Sequence, residues 1–215
     1  MASTPIVEVR HLFKSYTRGG QVVPVLYDLS FDIAEGEYLA LMGPSGSGKS
    51  TLLKLLSGLY APESGRISIG GLDTTAAAGL FAFLPQFPQL YSGSILENLR
   101  IFSGTTDREH LIAVAKDTGL DAWVSTLPMG YLTVVASGGG NFSGGQRQML
   151  ALTAILASSR PILLLDEAMS NLDWVSRRRL LECPQFQGRT VIYSSHEEIL
   201  TAVHQGDKAF SHPPA

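Results

Sequence analysis

Gly43-Pro44-Ser45-Gly46-Ser47-Gly48-Lys49-Ser50 has the spacing G-x-x-x-x-G-K-S, a pattern whose glycines let the backbone curl around phosphate oxygens with its N–H groups pointing inward. The stretch on its N-terminal side, Tyr38-Leu39-Ala40-Leu41-Met42, is a continuous apolar run that reads as a buried strand. On the other side, residues 49–59 read as a helix whose positive dipole end faces the same anion. In this strand–loop–helix setting Lys49 is placed for the β- and γ-phosphates, and the Ser50 hydroxyl is suited to ligate Mg²⁺. The opening expectation is therefore a nucleoside triphosphate site.

Composition fits that expectation. The chain has 215 residues, 45% hydrophobic and 16% charged, enough for a packed interior of one large domain or a core with a small subdomain. A net charge of −3 gives no general basic footprint, so nucleic acid is not an expected partner. Cys183 is the single cysteine and has no internal partner. The start, Met1-Ala2-Ser3-Thr4-Pro5-Ile6, lacks the basic and apolar regions of a signal peptide. No apolar run approaches the roughly 20 residues that cross a bilayer. These features predict a cytoplasmic protein.

The pattern along the chain alternates helix with buried strand. Strands are predicted at 6–9, 29–33, 38–42, 66–69, 81–84, 162–165 and 190–193. Ser94-Ile95-Leu96-Glu97 and Thr106-Asp107-Arg108-Glu109 read as capping boxes, and Gly119 suits a helix C-cap. Helices are predicted over 143–156 and 173–181, and residues 207–210 read as a last, remnant strand. Such alternation implies a mainly parallel α/β sheet, preceded by short antiparallel strands and interrupted by a helical insertion at 86–141.

A second chemical feature is the apolar run 162–165 ending in Asp166-Glu167. Ligands gather at the carboxyl ends of parallel strands. Asp166 would hold Mg²⁺, directly or through water, and Glu167 would orient and polarise the water that attacks the γ-phosphate. A third is Asn141-Phe142-Ser143-Gly144-Gly145-Gln146. Ser143 and Gln146 form a capping box, and the two glycines inside it expose bare N–H groups at a helix start, an anion site.

With that third motif the chain resembles the ATP-binding-cassette (ABC) family, whose signature usually reads Leu-Ser-Gly-Gly-Gln; Phe142 stands in place of the Leu and keeps an apolar anchor. The resemblance spans almost the whole chain. Gln86, just after the strand at 81–84, resembles the Q-loop glutamine that senses Mg²⁺ and nucleotide beside the membrane partner. His196 resembles the switch histidine at the γ-phosphate, Ser170-Asn171-Leu172-Asp173 the D-loop, and Tyr16 the aromatic that stacks on adenine.

The fold this implies is a P-loop NTPase of the RecA-like type, one ABC ATPase domain over 1–215. Residues 1–85 and 142–215 would form the nucleotide-binding core with its antiparallel β subdomain, and 86–141 the helical subdomain. The cofactors implied are ATP and Mg²⁺. Catalytic roles fall to Glu167, His196 and Lys49. Nucleotide contacts fall to Tyr16, Gly43, Pro44, Ser45, Gly46, Ser47, Gly48, Lys49, Ser50, Thr51, Gln86, Ser143, Gly144, Gly145, Gln146, Asp166 and Asp173, and metal contacts to Ser50, Gln86 and Asp166.

The resemblance also implies head-to-tail pairing with an identical or different cassette, two ATP molecules lying between one subunit's phosphate loop and the other's signature. Hydrolysis would power separate multi-span permease subunits, holding the chain at the cytoplasmic face of the membrane. The run from Gln89 to Asn98 and Leu127-Pro128-Met129-Gly130 look most like exporter ATPases. In the segment 133–139, Ala136 and Ser137 replace the Gly and Glu of the exporter loop. A compact cassette without a regulatory C-terminal domain is expected. Two other readings stay open: a soluble mechanochemical ATPase, and an ATP-dependent dimerisation switch not engaged in transport.

Overall fold

Gly19-Gly20 reverses the chain in the tightest way a hairpin allows. Arg18 pairs with Gln21 across it, and the two glycines take φ of 58° and 81°, the left-handed pair that a type I′ turn needs to match strand twist. This turn joins β1 (Val7–Arg18) to β2 (Gln21–Ile33). The pattern of apolar residues had placed strands only at 6–9 and 29–33. The intervening residues are mostly exposed or half-buried, so the ladder continues where no burial signal marks it.

The computed structural model describes residues 5–195 and the backbone of 208–211. Two compact units divide the chain, the first comprising Met1–Phe83, Arg160–Asp166 and Gly188–Ala215, and the second Leu84–Ser159 and Glu167–Gln187.

In the first unit, β4 (Ser64–Ile69) pairs antiparallel with β1, and the Gly70-Gly71 turn adds β5 (Leu72–Asp73), giving the order β2-β1-β4-β5. One face of this sheet presents Val7, Val9, Leu12, Ile33, Ile67 and Ile69 to a core shared with Leu53, Leu55 and Leu56 of α1 (Lys49–Leu56). The same core takes in Leu39 and Leu41 of β3 (Tyr38–Met42) and Ile162, Leu164 and Ile192. The predicted helix ran on to 59. It stops at Leu56 because Gly58 turns left-handed at φ 69° and donates its N–H to the Leu55 carbonyl at 3.0 Å.

A second, five-stranded sheet has the order β11-β3-β10-β9-β6, with β6 at Phe81–Leu84, β9 at Ile162–Asp166, β10 at Thr190–Ser194 and β11 at Lys208–Ser211. The pairs β3/β10, β9/β10 and β3/β11 are parallel. The mixed architecture expected from sequence is thus observed. Register matters for the site: Ser194 lies directly opposite Asp166, and also opposite Leu41 one residue before the end of β3.

The second unit is mainly helical. Its helices are α2 (Ile95–Ser103), α3 (Arg108–Thr118), α4 (Leu120–Val124), α5 (Gly144–Leu156) and α6 (Trp174–Leu181), beside a short antiparallel pair, β7 (Gly93–Ser94) and β8 (Val134–Val135). Helix α5 packs against α2, α3 and α4, and α6 against α3. The capping box at Ser94 and Glu97 forms as expected. The one expected at Thr106 does not: Asp107 is the N-cap of α3, its carboxylate accepting from the N–H groups of Glu109 and His110. A carboxylate that satisfies two orphan donors outcompetes a neighbouring hydroxyl. Gly119 takes the left-handed C-cap conformation, φ 91°.

Candidate nucleotide site

The loop at 43–50 leaves the end of β3 and enters α1 through Gly48, which holds φ 89°. A Cβ there would sit 3.0 Å from side-chain carbons of Val25 and Leu26 and 3.1 Å from the Val25 carbonyl, so both conformation and space require glycine. Lys49 is 91% buried. Its ammonium donates to the carbonyls of Gly43 at 2.7 Å and Pro44 at 3.0 Å and to Ser47 Oγ at 3.4 Å. The charge is thereby held inside the ring of its own loop, where the phosphates of a nucleotide would be received.

Ser50, on the first turn of α1, donates its hydroxyl to Asp166 Oδ1 at 2.9 Å. The same oxygen accepts from Ser194 Oγ at 2.7 Å, which the β9/β10 register puts in place. Asp166 is 2% exposed. Two hydroxyls thus compensate its burial. Hydroxyl and carboxylate oxygens at adjoining points suit a hard cation. Among the described residues no group of three or more His, Cys, Asp or Glu gathers. One hydroxyl, on Ser50, and one carboxylate, on Asp166, fit Mg²⁺, which keeps water and phosphate oxygens as further ligands.

Tyr16, on β1, faces this end of α1. Its hydroxyl lies 3.4 Å from Thr51 Oγ1, and its ring is edge-on to Tyr60 with centroids 6.4 Å apart. Lys14 Nζ stands 5.8 Å from the Tyr16 ring centroid. Tyr16 as a residue is 38% exposed, which leaves surface for a base to stack on.

In the second unit, Gln86 donates Nε2 to Glu167 Oε2 at 2.7 Å, so the residue expected to sense nucleotide and the one expected to polarise water are bonded directly. Glu167 has φ 48°. Among the described residues only His11 and Asp28 share this trait without being glycine. A left-handed non-glycine residue costs about 1–3 kcal/mol and persists only where its surroundings enforce it.

Ser143 caps α5: its Oγ accepts the Gln146 N–H at 3.2 Å, and Gln146 Oε1 accepts the Ser143 N–H at 2.9 Å. The two glycines differ. A Cβ on Gly145 would meet the Asn171 carbonyl oxygen at 2.8 Å, whereas one on Gly144 would find nothing nearer than 3.9 Å. Phe142 is buried, its ring edge-on to Trp123 with centroids 5.1 Å apart, and Arg147 donates to its carbonyl at 2.6 Å. Asp173 is the N-cap of α6. The Ser176 amide and then the Ser176 hydroxyl hold its carboxyl below the usual range. His196 lies outside the described residues.

A parallel sheet carrying a phosphate-type loop, with a capped Ser-Gly-Gly-Gln start on a helix of a mainly α unit, is a narrow combination, and the comparisons with known proteins agree with it. The family model described as ABC transporter matches residues 26–170. The chain belongs to the ABC transporter family. Among curated relatives of this ABC chain is the glutathione/L-cysteine transport system ATP-binding/permease protein CydD of Bacillus subtilis, 38% identical over 90% of this chain and 34% of that protein. The colicin V secretion/processing ATP-binding protein CvaB of Escherichia coli is 34% identical over 92% of this chain and 29% of its own length. A solved bacterial Atm1-family ABC exporter with ATP bound superposes with a TM-score of 0.85 at 30% identity, covering 98% of this chain and 38% of that one. The chain thus spans about a third of the length of these relatives and is exporter-like in sequence. Family membership implies ATP binding, and ABC domains are ATPases as a class.

Two residues of this ABC domain escaped the sequence reading. Ser194 ends an apolar strand just as Asp166 does, and that shared position at a strand's carboxyl end was the available signal. Gln148 ends the polar first part of α5 just before its apolar run, yet is only 1% exposed, and its burial calls for partners.

Proposed function

We propose that this chain binds and hydrolyses ATP to drive an export permease carried by sequence outside these 215 residues. The permease is a separate subunit, as the sequence reading has it, or part of the same polypeptide, as the name ATP-binding/permease protein says of the B. subtilis relative. Among the described residues no helix is long and apolar enough to cross a membrane. The observation that carries the reading is the Ser50–Asp166 contact beside the buried Lys49, two sequence motifs 116 residues apart meeting at one candidate phosphate site.

In this reading Lys49 turns from its loop carbonyls to the β- and γ-phosphates, and the N–H groups of residues 43–50 receive the remaining oxygens. Ser50 and Asp166 would hold Mg²⁺, which supplies charge neutralisation to the phosphate oxygens. Tyr16 carries the adenine. Glu167 accepts a proton from water as its oxygen attacks the γ-phosphorus and the bond to the β-phosphate oxygen breaks, giving ADP and phosphate. Gln86, bonded to Glu167, reports the state of this centre toward the permease, and His196 contributes at the γ-phosphate. Ser143, Gly144, Gly145 and Gln146 address the ATP of a second cassette, identical or different, in a head-to-tail pair at the cytoplasmic face of the membrane. Asp173 lies at the same pairing edge.

The test is phosphate release from Mg-ATP by the purified chain, alone and with its permease part. Release is expected from the wild type and not from Glu167→Gln. No release in either setting would overturn the hydrolytic reading and leave the dimerisation switch.

A further inference from the structure

Helix α5 is apolar from Met149 onward apart from Thr153, and Gln148, at the threshold of that run, is nevertheless almost wholly buried. A buried primary amide needs partners at both ends, because an unmatched donor or acceptor there carries the full cost of its lost hydration. Gln148 has them. Its Nε2 donates to the Glu167 carbonyl at 2.9 Å, and its Oε1 accepts the Asn171 N–H at 2.9 Å.

Both partners lie in one five-residue loop, and the first of them is the left-handed Glu167. The loop has little regular structure of its own. Ser170 N–H also reaches the Glu167 carbonyl at 3.1 Å, and Leu172 N–H reaches Met169 at 3.1 Å. Farther along, Arg177 donates to the carbonyls of Leu172 at 2.8 Å and Ser170 at 3.1 Å. On the helix side the Asn171 carbonyl comes so close to Gly145 that no side chain fits between them. One amide therefore fixes two points of the loop to the helix that begins with Ser143-Gly144-Gly145-Gln146.

We propose that Gln148 is a positioning residue, which holds Glu167 in its left-handed conformation and keeps the Asn171 stretch in register with the start of α5. The catalytic half of this proposal rests on the reading of Glu167 as the group that polarises water. Gln148 touches no substrate. It acts through the backbone of Glu167, and a carboxylate aimed by a strained backbone loses its aim once the strain is free to relax.

The test separates the two ends of the amide. Gln148→Met keeps side-chain length and removes donor and acceptor together, leaving the Glu167 carbonyl and the Asn171 N–H without that partner. In this variant the Asn171 amide should exchange hydrogen at least about tenfold faster, while Leu152 and Ile155 within α5 keep wild-type protection. ATP affinity, read by titration calorimetry, should stay within about twofold, because Lys49, Ser50 and Asp166 belong to the other unit. The kcat for phosphate release should fall at least about tenfold with KM nearly unchanged, the pattern of an interaction felt in the transition state. Gln148→Glu retains an acceptor for Asn171 and sets an oxygen against the Glu167 carbonyl. There the Asn171 exchange should stay near wild type while kcat still falls, a split that a merely structural loss would not produce. If Gln148→Met does not fold, Gln148→Glu carries the test. Unchanged kcat in the folded variants, or unchanged Asn171 exchange in Gln148→Met, overturns the proposal. If the wild type itself releases no phosphate, the hydrolytic reading fails, and the exchange measurement still decides whether Gln148 holds the loop.

Discussion

The Lys49 ammonium is bonded to three oxygens of its own loop, so in the proposed function nucleotide binding would exchange these neutral acceptors for charged phosphate oxygens. Charge-assisted hydrogen bonds are about twice as strong as neutral ones. Lys49→Ala removes that gain, worth about 1.5–3 kcal/mol, and affinity for Mg-ATP should fall about tenfold to more than a hundredfold. Titration calorimetry on the folded variant reads this directly, and unchanged affinity would contradict it. Tyr16 offers a second single-residue test. Tyr16→Ala should weaken ATP and GTP alike by about 1–3 kcal/mol, since stacking is blind to the edge of the base, whereas Tyr16→Trp should keep most of the affinity. No change in Tyr16→Ala would shift the stacking role to another aromatic, first to Tyr27, which is 71% exposed and edge-on to Phe13. At this scale residue types were legible and their partners were not. Lys49, Ser50 and Asp166 stand out by motif. Ser194 enters only through β-sheet register, and pairing register between strands 28 residues apart is not written in either strand alone.

Among the elements, α5 carries the most consequence in its first turn. The Ser143-Gly144-Gly145-Gln146 start reads in sequence as two glycines exposing N–H groups, and of the two only Gly145 lacks room for a Cβ. Gly145→Ala must push the Asn171 carbonyl or the helix aside. Overpacking of this kind costs about 1–3 kcal/mol, and for a chain of this size each kcal/mol lowers the melting temperature by about 2–4 °C. Gly144→Ala should melt at or above the wild-type temperature, because alanine is the better helix former by up to about 1 kcal/mol. Thermal melts of the two variants check the contrast, and equal melting temperatures would refute it. The pair shows why part of the fold was readable and part was not. Helix starts at Ser94 and Ser143 were readable because a capping box is a local pattern of four residues. The long β1–β2 hairpin was not. Its outer half is mostly exposed although Val22, Val23 and Tyr27 are apolar, and its one strong signal, Gly19-Gly20, lies between segments in which apolar and polar residues do not alternate. The end of α1 was misplaced for a related reason: apolar residues continue to Leu59, and Gly58 stops the helix by conformation rather than by polarity.

At the scale of the whole molecule, the division into compact units falls in the chain between Asp166 and Glu167. Lys49, Ser50 and Asp166 belong to the first unit, and Gln86, Glu167 and the Ser143 capping box to the second. This assignment bears on how ATP binding and hydrolysis can be separated. Glu167→Gln keeps the size of the side chain and can still bond the Gln86 amide, but it lacks the basicity to take a proton from water. Ground-state contacts to ATP should survive while general-base help, commonly about 10²- to 10⁴-fold, is lost. If two cassettes close on ATP, this variant should accumulate in the closed pair. Size-exclusion chromatography with light scattering should then show a dimer with Mg-ATP and a monomer with ADP, with nucleotide counted in the dimer peak. Ser143→Arg, added to Glu167→Gln, puts a long side chain where the opposing phosphate would be received and also removes the cap of α5. That double variant should stay monomeric with Mg-ATP, and its melting temperature shows whether the loss of the cap has cost it the fold. A folded double variant that still dimerises would exclude the head-to-tail arrangement, because the signature would then make no contact that the pair depends on. Glu167→Gln remaining monomeric in Mg-ATP would mean that the permease part supplies what the two cassettes lack, and the same measurement repeated with that part present would show the dimer.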